Sequence, residues 1–147
     1  MKRTTTGCAI RAVFAVMALS ALEMAAAEEN DARARVNAPA RVAIAPARET
    51  PQDDAGRLVV TVTGFKPATA GTVEGVVLIP CGTGEREIGR FGIFPQQPFT
   101  AGNNTKPQRF GFALPAGCKP SQVTVRVEPS AGDGSGAELV IGEVAVK

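Results

Sequence analysis

From Arg57 to the end of the chain, apolar residues recur at every second position, the spacing of extended strands that bury one face. In "LVVTVTGF", Leu58, Val60 and Val62 point one way, while Val59, Thr61 and Thr63 point the other. "TVEGVVLIP" follows and ends at Pro80 beside Cys81. In "REIGRFGIF", Phe91 and Ile93 share a face opposite Arg90 and Gly92; in "RFGFAL", Phe110, Phe112 and Leu114 share one. "QVTVRVEP" alternates most cleanly, with Val123, Val125 and Val127 inward and Thr124, Arg126 and Glu128 outward. "AELVIGEVAV" alternates through Leu139 and Ile141 and resumes at Val144 and Val146, a change of phase that predicts a β-bulge at Gly142.

Gly/Pro-rich connections separate these six segments, and none shows a helical period. The pattern predicts an all-β fold, an antiparallel β-sandwich of six or seven strands whose two sheets cover each other's apolar faces. Cys81 and Cys118 then fall near one end of the sandwich, just after the second strand and just before the fifth.

The chain before Arg57 reads differently. Residues 1–27 carry Lys2 and Arg3, an apolar stretch from Ala12 to Leu22, and then Ala25-Ala26-Ala27. That order predicts a signal peptide cleaved after Ala27. The stretch is shorter than the roughly 20 residues a helix needs to span a bilayer. The expected product is periplasmic or secreted, with no membrane association after cleavage. Residues 28–56 are rich in Ala, Arg, Pro and acidic residues, and Pro39, Pro46 and Pro51 exclude a long helix. They predict an extended or flexible lead, with one edge strand at Arg41 to Ala45. The predicted organisation is thus a signal peptide (1–27), a lead (28–56) and a sandwich domain (57–147).

Cleavage changes the charge. Loss of Lys2, Arg3, Arg11 and Glu23 takes the 16 cations and 14 anions of the whole chain to 13 of each. A neutral chain without a Lys/Arg cluster gives no electrostatic case for nucleic acid. Cleavage also removes Cys8 and leaves Cys81 and Cys118, a pair that predicts a disulfide in an oxidising compartment.

There is no histidine, tyrosine or tryptophan. A Ser-His-Asp triad, a Cys-His dyad, a type 3 copper centre and most catalytic zinc sites need histidine, so none can be built within this chain. Glu74, Glu85, Glu87 and Glu128 are scattered over loops and outward strand faces, where carboxylates meet water. No catalytic residue, metal ligand or cofactor is predicted. "GDGSG", Gly132 to Gly136, lacks the spaced carboxylates of a calcium loop and predicts a hairpin turn. "NNT", Asn103 to Thr105, is formally an N-glycosylation acceptor.

Three of the seven phenylalanines lie in "IGRFGIFPQQPF". Phe91 fits the alternation and belongs to the core, and Phe94 caps the strand where Pro95 stops the ladder. A connection of fourteen residues, "FPQQPFTAGNNTKP", follows. Long loops on rigid scaffolds carry recognition. Phe94, Pro95, Gln96, Gln97, Pro98 and Phe99 are therefore the candidate partner contacts. The alternative for Phe99 is a fold-back that covers the end of the sandwich.

In their order, "IGRFGIF", "RFGFAL", "VTVRVEP" and "LVIGEVAV" resemble the strands of the C-terminal β-sandwich of tyrosinases, plant polyphenol oxidases and haemocyanins. The likeness covers roughly residues 57 to 146. In that family the sandwich packs over the dicopper domain, places a bulky side chain in the substrate entrance, and acts as a shield or maturation aid. The dicopper domain is absent here, and so is the Tyr-x-Tyr feature near the domain junction. The resemblance implies an exported, non-catalytic accessory domain for a separately encoded tyrosinase-like copper oxidase, with Phe99 or Phe94 as the plug by loop position. The competing expectation is a general exported module that binds other proteins or surface polymers and has no link to copper enzymes.

Overall fold

A computed structural model of the chain describes residues 32–46, 56–102 and 104–147. The predicted signal peptide, residues 28–31 and 47–55 of the lead, and Asn103 lie outside the described residues. Nine strands, rather than the six or seven expected, and no helix are found among those described; the short strands Ala32–Arg35 and Phe99–Thr100 carry too few buried residues to show an alternation. They form two antiparallel sheets, consistent with the expected sandwich.

One sheet contains β1 (Ala32–Arg35), β3 (Arg57–Lys66), β6 (Phe99–Thr100), β7 (Gln108–Ala113) and β9 (Glu138–Val146). The other contains β2 (Ala40–Ala43), β4 (Thr72–Cys81), β5 (Gly84–Phe91) and β8 (Gln122–Ala131). In the first, β9 lies between β1 and β3, and β3 pairs on its other side with β7 and β6. The second runs in the order β2, β8, β4, β5.

The alternation read from the sequence becomes the core. Leu58, Val60 and Val62 of β3 meet Val123, Val125 and Val127 of β8 in one buried cluster, joined by Leu139, Ile141 and Val144 of β9. Each such side chain contributes about 1.5–3 kcal/mol when fully buried. The bulge lies where the phase changes. Val60 pairs with Val144 and Val62 with Ile141, so two steps on β3 match three on β9.

Two strands come from the region expected to be a lead. β1 pairs with β9 and β2 with β8, so one short segment edges both sheets. Ala34 and Ala40 are buried, and their small side chains suit the rim of the core. The expected edge strand at Arg41 to Ala45 corresponds to β2.

Two local expectations are corrected. The Gly132–Gly136 segment is not a hairpin turn, because β8 and β9 belong to different sheets; it is a crossover, held by Ser135 N–H donating to Asp133 Oδ1 at 2.9 Å. Thr124 lies on the outer face as expected but is buried, its hydroxyl donating to Glu85 at 2.7 Å. On β4, Val76 and Leu78 are buried on the outer face as well, under side chains of the neighbouring strands, which explains the unbroken apolar run there.

Cys81 and Cys118 form a disulfide with a Cα–Cα distance of 5.3 Å. It ties the end of β4 to the β7–β8 connection, where the chain passes from one sheet to the other.

Candidate functional site

The site is built where β5 of one sheet approaches β7 of the other. Phe91 stacks on Phe110 at a ring separation of 4.4 Å, with Phe112 tilted against it at 6.2 Å. The rings lie close on strand backbone because glycine stands beneath them. A Cβ at Gly75 would sit 2.3 Å from the Phe91 ring, and one at Gly89 would sit 2.6 Å from Phe112.

Beyond Phe91 the chain keeps its alternation for three more residues. Ile93 turns inward and is buried, so Phe94 turns outward. Phe94 is therefore not a strand cap: β5 already ends at Phe91, and Ile93 fills the core end that a cap would cover. At 87% exposure, Phe94 is the one large apolar side chain left in solvent among the described residues. Phe99 takes the other course. It pairs with Phe65 through β6 and packs partly buried against the core.

The segment between them is tied down. The Phe94–Pro95 peptide bond is cis. The Gln97 N–H donates to Pro95 O at 2.7 Å, an i to i+2 turn. The Gln96 side-chain amide donates to Val73 O at 3.3 Å, while its Oε1 is buried without a partner among the described residues. Ala101 N–H donates to Thr63 O at 2.6 Å. A recess of about 210 Å³ lies beside the segment, with Pro95, Gln97, Pro98 and Phe99 in its wall. All six candidate contacts thus belong to one anchored loop, with Phe94 at its outer side and Phe99 at its root.

A charged network that the sequence does not reveal sits at the loop's base. Arg90, next to Phe91, donates to Glu87 at 2.8 Å, to Glu74 at 2.7 Å and to Glu128 at 2.9 Å. The Glu87 carboxyl is held below its ordinary range, chiefly by the Arg90 hydrogen bond, and Arg90 is driven further toward the charged form by Glu87 first and Glu74 second. Glu85 accepts from Thr124 and, at 3.2 Å, from Arg126. The acids expected to be scattered are therefore gathered, because β5, β4 and β8 are neighbours in one sheet. Period-two alternation does not show that three of them, Glu74, Glu87 and Glu128, converge on one guanidinium; register does. Among the described residues no group of three or more His, Cys, Asp or Glu is arranged to hold a metal ion.

No protein family, curated protein or solved structure matches the chain. The resemblance to the tyrosinase sandwich rests on the four strand motifs alone.

Proposed function

We propose that the chain is an exported, non-catalytic binding module that docks through the Phe94 loop onto a partner protein. The observation that carries this reading is the exposure of Phe94 on an anchored loop. A solvated phenylalanine leaves about 2 kcal/mol of burial energy unused, which a recess on a partner recovers. Gln96 and Gln97 hold the loop in shape before binding, which limits the ordering cost of association. The disulfide supports an oxidising destination.

The resemblance directs the first test to a separately encoded type 3 copper oxidase. In that reading Phe94, rather than Phe99, is the plug, since Phe99 packs against the core. Titration of such an oxidase with the wild-type protein and with Phe94→Ala tests both levels. Binding weakened at least about tenfold by Phe94→Ala supports the assignment. Binding indifferent to the substitution removes Phe94 from the contact. Absence of binding to any such oxidase removes the copper-enzyme partner.

A further inference from the structure

The charges of the sandwich are segregated by face. The outer face of the five-stranded sheet carries Arg33 and Arg35 on β1, Arg57 and Lys66 on β3, and Arg109 on β7, at positions that alternate with core residues. Against these five cations, among the described residues of the same strands, stand Glu138 on β9 and Glu143 in its bulge. The four-stranded sheet carries equal numbers, with Glu74, Glu85, Glu87 and Glu128 against Arg41, Arg86, Arg90 and Arg126. Among the described residues the cationic excess of the two sheets therefore lies on the five-stranded one.

We propose that the outer face of the five-stranded sheet is a docking surface for an acidic polypeptide segment, a stretch of partner protein bearing several Asp or Glu carboxylates. This surface is independent of the Phe94 contact.

Glu138 shows how the face treats a carboxylate. It lies between Arg35 and Lys66 in strand register, accepts from Arg33 Nη1 at 2.6 Å and from Arg35 Nε at 2.7 Å, and is held below the ordinary carboxylate range by Arg35 first and Arg33 second. One carboxylate does not exhaust these donors, because each guanidinium carries five N–H groups. Lys66 and Arg109 make no ion pair among the described residues.

The relief of the face suits an extended chain. An open cleft of about 590 Å³, with Arg35 and Lys66 but also Asp133 in its wall, adjoins a hollow of about 220 Å³ lined by Arg33, Thr63, Gly64 and Thr100. Lys66 and Glu138 belong to both walls, so the two form one trough. Beyond it, Gly111, Gly142 and Ala113 keep the face low enough for a partner backbone to approach. Nucleic acid fits less well. The cations are spread along separate strands, and among the described residues no large exposed aromatic lies on this face for base stacking and no helix is present to enter a groove.

The test is a binding titration of the purified protein with a fluorescent oligo-glutamate peptide, repeated with duplex DNA and at rising salt. The expected result is salt-sensitive binding of the peptide, stronger than that of DNA, since exposed charges are screened within a Debye length of about 10 Å near 0.1 M salt. The double variant Lys66→Glu/Arg109→Glu should weaken it at least about tenfold, the neutral pair Lys66→Gln/Arg109→Gln less, and Arg86→Glu on the opposite sheet less than about twofold. Circular dichroism establishes that each variant is folded. Absent peptide binding, equal loss in Arg86→Glu, or preference for DNA would each overturn the proposal. Phe94→Ala should leave peptide binding intact, which separates failure here from failure of the Phe94 contact.

Discussion

Glu74 and Glu128 stand directly opposite each other on β4 and β8, and the guanidinium of Arg90, reaching over from β5, binds both. Like charges in that register repel. Arg90 turns the repulsion into a clamp that holds β5 to the middle of its sheet, immediately before the chain leaves for the Phe94 loop.

Arg90→Met should therefore lower the melting temperature more than Glu87→Gln, because it leaves three carboxylates facing one another. The sign of the pH effect follows from Glu87, whose folded carboxyl titrates below its unfolded value. Its contribution is present above the ordinary carboxylate range and is lost as pH falls through the lowered folded value. The gap between wild type and Arg90→Met, followed by thermal melts across the acid range, should close on acidification. A gap that widened in acid would contradict the clamp.

Phe91 and Phe94 are three residues apart and should behave oppositely. Phe91→Ala empties a ring site stacked on Phe110 and should cost about 3–5 kcal/mol. Phe94→Ala, at a solvated position, should change stability by less than about 0.5 kcal/mol. Chemical denaturation of the two variants measures both. A large loss in Phe94→Ala would mean that this ring serves the fold rather than a partner.

The disulfide joins residues 37 apart in sequence, for which chain-entropy arguments give about 4 kcal/mol. Cys81→Ser/Cys118→Ser should lose about 2–4 kcal/mol in urea denaturation. Mass analysis after alkylation of the unreduced, denatured wild-type protein should find neither Cys81 nor Cys118 modified.

Glu138 links β1 to β9, and its side chain is 15% exposed between two arginines. Its folded carboxyl titrates below the unfolded value, so this tie is complete above the ordinary carboxylate range and weakens as pH falls through the lowered value. Hydrogen exchange at β1, corrected for intrinsic rates, should rise in acid before that of β3. Glu138→Gln should raise it already at neutral pH.

Much of the fold is legible in the chain because burial imposes period two. Val123, Val125 and Val127 could face only one way, and the broken phase at Gly142 located the bulge. β1 was not legible, since "ARAR" buries only Ala34 and its place is set by pairing with β9. Register is likewise what gathers Glu74, Glu87 and Glu128, and alternation carries no register between strands distant in sequence. The loop is legible in its length and prolines, but that Phe99 packs inward while Phe94 stays exposed rests on the pairing of Phe99 with Phe65, which alternation does not show.

The most direct measurement of the docking claim is fluorine NMR of protein labelled with fluorophenylalanine, with the Phe94 signal identified through Phe94→Leu. In the free protein that signal should lie at the solvent-exposed position, apart from those of Phe91 and Phe112. With saturating dicopper oxidase it should be the phenylalanine signal that shifts most. A Phe94 resonance unmoved in a complex shown to be formed would contradict the account.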